Sequence, residues 1–104
     1  MASRTAPVDG DYERAPRANL NHSAAKRGLA ARLNALLDER LISQTAAGHI
    51  LGMPQPKISA IRNYKLNGIS LERLLQALAD LGQHVDIVVS PSSPEVPAGI
   101  RVAA

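Results

Sequence analysis

Gln44-Thr45-Ala46-Ala47-Gly48-His49-Ile50-Leu51-Gly52-Met53-Pro54-Gln55-Pro56-Lys57-Ile58-Ser59-Ala60-Ile61-Arg62 is the stretch on which the fold turns. Two short helices that cross steeply need a small residue where their backbones meet, and Gly48, following Ala47, supplies it. The tight turn between them needs a residue at ease with positive φ, and Gly52 stands there. Apolar side chains must point into a shared core on both sides of the turn, as Leu51, Met53, Ile58 and Ile61 do. Ser43 suits the N-cap of the first short helix, which ends near Gly52. Pro54 and Pro56 admit a second helix only if they lie in its first turn, where a missing N–H costs nothing. That helix runs to about Tyr64 and turns Gln55, Lys57, Ser59 and Arg62 outward. Its outer face carries cationic and hydrogen-bonding groups and no acid, as a helix lying in the major groove of DNA requires.

On either side of this stretch the period is helical. Leu29, Leu33, Leu36 and Leu37 mark one face of a helix from about Ser23 to Arg40, with Asn21 or Ser23 as its cap. Asn67-Gly68 signals a turn. Ser70 caps a further helix whose Leu71, Leu74, Leu75, Leu78 and Leu81 form an apolar stripe, stopped by Gly82. Then the period changes to two: His84-Val85-Asp86-Ile87-Val88-Val89 alternates at first and is rich in β-branched residues, which predicts a strand over 84–89. No other segment of the domain reads as its partner, so the strand is expected to pair with its copy in a twofold dimer, through Val85, Ile87, Val88 and Val89. The alternative is an extended segment lying on the helices. The expected fold is all-α: a small four- to five-helix bundle with a helix-turn-helix, plus that one C-terminal β-strand. Residues 1–20 mix prolines and alternating charges and read as a disordered arm. Residues 21–89 form the domain. Residues 90–104, with Pro91, Pro94 and Pro97, read as a flexible tail.

Composition narrows the function. A chain of 104 residues has room for one small domain and not for a two-domain enzyme around a deep cleft. The absence of cysteine removes disulfide frameworks, thiolate metal sites and thiol nucleophiles. No apolar run is long enough to span a membrane and no signal-like core opens the chain, so a cytoplasmic protein is expected. His22, His49 and His84 are scattered without acids at ligand spacing, and neither a nucleophile elbow nor a phosphate-cradling glycine loop occurs, so no metal, cofactor or enzymatic activity is expected. The net charge of +3 is unevenly spread. Residues 1–20 are neutral overall, residues 21–68 carry +5 and residues 69–104 carry −2, and no carboxylate lies between Glu39 and Glu72. Such a field suits a polyanion.

Ser43-Gln44-Thr45, Leu51-Gly52 and Gln55-Pro56-Lys57-Ile58-Ser59 together resemble the Cro/phage-repressor (XRE) helix-turn-helix family. The continuation from Ile69-Ser70-Leu71-Glu72-Arg73-Leu74-Leu75 through Ala79-Asp80-Leu81-Gly82 to His84-Val85-Asp86-Ile87-Val88-Val89 is similar to a compact subgroup that includes HigA-like antitoxins and stand-alone regulators. The resemblance covers about residues 23–89. It implies that Gln44, beside Thr45 at the start of its helix, bonds a phosphate and braces Gln55. Gln55 then reaches base edges, with Pro56, Lys57 and Ala60 at the other base-facing positions. Ser59, Arg62, Asn63 and Lys65 lie close enough for phosphates or flanking bases. Two positions depart from the pattern: Pro54 stands where a capping Ser or Thr is usual, and Ala60 where relatives often carry a polar reader.

The function expected from these residues is a sequence-specific repressor that reads a palindromic operator in double-stranded DNA as a homodimer. One recognition helix reads too few base pairs alone, and twofold symmetry doubles the reading. Within that role the resemblance points to the antitoxin of a toxin–antitoxin pair, autoregulating its operon and binding a small cognate toxin. The alternatives are a stand-alone repressor and an interaction adaptor that does not bind DNA.

Overall fold

Five alanines and four leucines, with no proline, make residues 23–39 a strong helix former. In the structure, a computed structural model that describes residues 22–103, they form α1 (Ser23–Glu39). Three shorter helices follow: α2 (Gln44–Leu51), α3 (Gln55–Arg62) and α4 (Leu71–Asp80). The arm expected over residues 1–20, and Asn21 as a cap, lie outside the described residues. The core is the one that the leucine spacing dictates. Leu29, Leu33, Leu36 and Leu37 of α1 are buried against Leu74, Ala77 and Leu78 of α4, with Leu81 beside them, while Leu71 and Leu75 are half-buried at the edge. Ile58 and Ile61 of α3 enter the same core, each only 1% exposed. Burial of such a side chain contributes about 1.5–3 kcal/mol, so these two residues fix how α3 lies on the bundle.

The helix ends show where local chemistry governs. The Ser43 hydroxyl accepts from the Ala46 amide at 3.1 Å, and the Ser70 hydroxyl accepts from the Arg73 amide at 3.0 Å. Both are the caps that the sequence predicts. Pro54 occupies the N-cap position of α3 and Pro56 its first turn, and the Pro54 carbonyl receives the amides of Lys57 (2.9 Å) and Ile58 (3.3 Å). α1 differs from expectation. Its cap position is His22, in a left-handed conformation (φ 54) with no side-chain cap bond, so Ser23 is the first helical residue rather than the cap. Its other end closes through Leu41, also left-handed (φ 56), with the Ile42 amide donating to the Leu37 carbonyl at 2.9 Å. This is the usual glycine-closed helix end, built here on leucine.

The C-terminal strand is a misreading. Among the described residues there are four helices and no strand, and residues 84–89 carry no ladder. β-branched residues favour extended backbone, but a strand exists only where a second backbone supplies its donors and acceptors, and no such segment lies among the described residues. Val85 is half-buried and packs on the core; Ile87, Val88 and Val89 point away from it. The chain then returns to α1. Val102 packs into the notch left by Gly28, its Cβ 3.2 Å from where a Cβ on that glycine would stand.

Candidate nucleic-acid interface

α2 and α3 meet as the glycine spacing requires. A Cβ on Gly48 would lie 2.9 Å from the Met53 carbonyl oxygen, closer than real contacts allow, and the Met53 amide donates to the Gly48 carbonyl at 3.0 Å. Gly52 turns the chain with φ 63 and ψ 38, open space around it, so its need for glycine is conformational rather than steric. From α4, the Arg73 guanidinium donates to the Leu51 carbonyl and closes the end of α2. The angle between the two helices is therefore set by a backbone contact, a left-handed turn and a charged cap.

With Ile58 and Ile61 turned in, α3 presents Gln55, Pro56 and Lys57 as exposed residues at its start. Gln44 and Thr45, exposed at the start of α2, come beside Gln55: Gln44, Thr45, Gly48, His49, Met53 and Gln55 line one shallow cleft of about 210 Å³. The two glutamines thus share a surface. His49 also faces this cleft, although the sequence marks it only as one of three scattered histidines. Its position four residues after Thr45, one helical turn on, is the signal that would have placed it there.

The other expected contacts divide. Lys65 and Asn63 are exposed near the end of α3, where Asn63 donates to the Ser59 carbonyl at 2.9 Å. Ser59 and Ala60 are half-buried, Ala60 against the core. Lys57 reaches the Gly68 carbonyl at 3.2 Å. Arg62 turns towards α1: it donates to the Asn34 carbonyl (3.1 Å) and Oδ1 (3.2 Å) and pairs with Asp38 at 2.5 Å. Asn34, the buried polar residue of the described core, in turn donates to the Ile61 carbonyl at 3.1 Å. Asn34, Arg62 and Asp38 therefore tie the end of α3 to α1. Nothing in the sequence pattern distinguishes this use of Arg62 from an outward one, because Asn34 sits on a helix face whose other members are leucines. Of the residues expected at a dimer contact, Val85 is half-buried, whereas Ile87, Val88 and Val89 are 75%, 84% and 92% exposed.

A family model described as a helix-turn-helix domain matches residues 10–90. A solved structure titled as an XRE family transcriptional regulator aligns with a TM-score of 0.71 at 44% identity, over 86% of this chain and 97% of that one. The chain belongs to the XRE family of helix-turn-helix transcriptional regulators. No curated protein matches the sequence. Within the XRE fold, the Gly48 crossing and the Gly52 turn make α2 and α3 the helix-turn-helix pair, and α3 is the second, exposed helix of that pair. Among the described residues no three His, Asp or Glu side chains gather as a metal site would require, and no helix is long and apolar enough to cross a membrane.

Proposed function

We propose that this XRE-family regulator represses transcription by laying α3 in the major groove of an operator. One observation carries the reading. The exposed start of α3 carries Gln55, Pro56 and Lys57, with Gln55 beside Gln44 and Thr45, in a stretch with no carboxylate from residue 40 to residue 71. Amides and an ammonium group are the donors that base edges and phosphates accept, and an acid-free surface raises no repulsion against the backbone. In this reading Gln55 and Lys57 contact bases, Pro56 and Ala60 give apolar contact, and Gln44, Thr45, Ser59, Asn63 and Lys65 meet phosphates. Arg62 serves DNA either by leaving Asp38 or, more simply, by holding α3 at the angle that seats it.

The protein acts as a homodimer on a palindrome whose half-sites lie about one helical turn apart. The apolar side chains of Ile87, Val88 and Val89 support a contact between copies, with Val85 anchoring that segment on its own core. The similarity of residues 69–89 to HigA-like antitoxins supports an antitoxin that silences its own operon, with residues 1–20 as the segment that meets the toxin. A stand-alone repressor has the same DNA chemistry and lacks that partner.

The decisive experiment is fluorescence anisotropy on a duplex from the chain's own upstream region and on a random duplex, at several salt concentrations. Gln55→Ala and Lys57→Ala are expected to weaken the upstream duplex selectively, by about 1–3 kcal/mol each, while Lys65→Ala weakens both duplexes alike. Equal losses on both duplexes for all three variants would refute the assignment of bases to Gln55 and Lys57. Light scattering reads the dimer, and co-purification from the native host reads the toxin.

A further inference from the structure

The start of α1 carries a second basic cluster that the helix-turn-helix does not include. Ser23, Lys26 and Arg27 of α1 face Tyr64, Leu66 and Asn67 across a cleft of about 190 Å³. Three interactions shape it. Lys26 Nζ donates to the Leu66 carbonyl at 3.3 Å, the Arg27 guanidinium lies 5.0 Å above the Tyr64 ring, and Tyr64 itself turns the chain with φ 58. One loop links the cleft to the helix that carries the candidate DNA surface. Leu66 is held by Lys26 of α1 and Gly68, two residues on, by Lys57 of α3, so residues 66–68 bridge α1 to the exposed start of α3.

The charge of this region has one sign. No carboxylate occurs between Glu13 and Asp38 or between Glu39 and Glu72. Among the described residues the ion pairs are Arg62–Asp38 and His84–Asp86, and neither includes Lys26 or Arg27. Two cations, the Ser23 hydroxyl and the Asn67 amide can all donate, and a phosphodiester offers only acceptors.

We propose that this cleft seats a backbone phosphate of the DNA strand flanking the groove that α3 occupies, so that α1 widens the footprint beyond the helix-turn-helix. The inference rests on the DNA-binding reading and adds a contact that reads no sequence. Arg27 gives the contact its charge, Tyr64 holds the guanidinium in place, and Lys26 fixes the loop that forms the far wall.

The test is the dependence of affinity on salt, measured for the full chain on upstream and random duplexes. Each cation that meets a phosphate contributes about one to the slope of log affinity against log salt concentration. Arg27→Gln is expected to lower that slope by about one on both duplexes, Arg27→Lys to retain it, and Arg32→Gln, the same loss of charge elsewhere on α1, to leave it unchanged. Thermal unfolding of each variant checks that the fold is intact. A wild-type protein that binds DNA with a steep salt slope, together with an Arg27→Gln variant of equal slope, would overturn the phosphate seat and leave the DNA reading standing. Equal drops for Arg27→Gln and Arg32→Gln overturn it as well, since they report charge in general. A wild-type protein that binds neither duplex at low salt removes the DNA reading, and the phosphate seat with it.

Discussion

Gly48 lies where a methyl group has no room. The atom it would meet is the Met53 carbonyl oxygen, part of the turn's own backbone, which cannot swing aside as a side-chain tip would. Alanine would gain about 1 kcal/mol of helix propensity there, but overpacking against backbone typically costs about 1–3 kcal/mol. Gly48→Ala is therefore expected to lower stability on balance, with a lower urea midpoint and an unchanged m-value if the fold survives. Gly52 fails for a different reason: Gly52→Ala meets no atom, and its cost of about 1–2 kcal/mol comes from the left-handed backbone alone. Asn34 is the third sensitive position. Asn34→Ala removes the side-chain donor to the Ile61 carbonyl, leaving it the Tyr64 amide, and takes an acceptor from Arg62, with an expected loss of about 1–3 kcal/mol in chemical denaturation. The same variant is expected to weaken DNA binding, because α3 loses one of its ties to α1.

Helix caps carry the next level of organisation. Ser43→Ala and Ser70→Ala each remove one acceptor from an otherwise unpaired amide, at an expected cost of about 1 kcal/mol apiece. They cap different helices and share no partner, so the double variant should show the sum within about 0.5 kcal/mol, read from the denaturation midpoints. These caps, the two prolines at the start of α3 and the leucine faces of α1 and α4 were all legible in the sequence, because each depends on residues within one turn of each other. What was not legible depends on distance along the chain or on a missing partner. Residues 84–89 have the side chains of a strand without a second backbone among the described residues to pair with. Arg62 has the position of a DNA contact, yet Asp38 and Asn34, 24 and 28 residues earlier, hold it. Leu41 adopts a left-handed backbone that no side-chain preference announces.

At the scale of the whole molecule, three arginines and two lysines among the described residues hold elements together through backbone carbonyls. Arg40 donates to the Leu81 carbonyl at 2.9 Å, Arg73 to Leu51, Arg62 to Asn34, Lys26 to Leu66 and Lys57 to Gly68. A basic chain built this way uses its cations twice, to satisfy helix ends within and to set a field without. The final segment contributes little to that frame. Among residues 90–103, Val102 is the one packed against the core, so a chain ending at Val89 is expected to keep the fold and lose about 1 kcal/mol, a fall of about 4–8 °C in Tm by calorimetry.

Leu41 offers a practical opening. Its left-handed main chain is strained by about 1–2 kcal/mol, yet its side chain is 92% exposed and shields nothing. Glycine would release that strain and give back part of the gain to the freer unfolded chain, about 0.4–1 kcal/mol. Leu41→Gly thus supplies a slightly sturdier and less sticky parent, altered at a residue assigned to no DNA contact, in which destabilising substitutions such as Asn34→Ala become measurable without losing the protein.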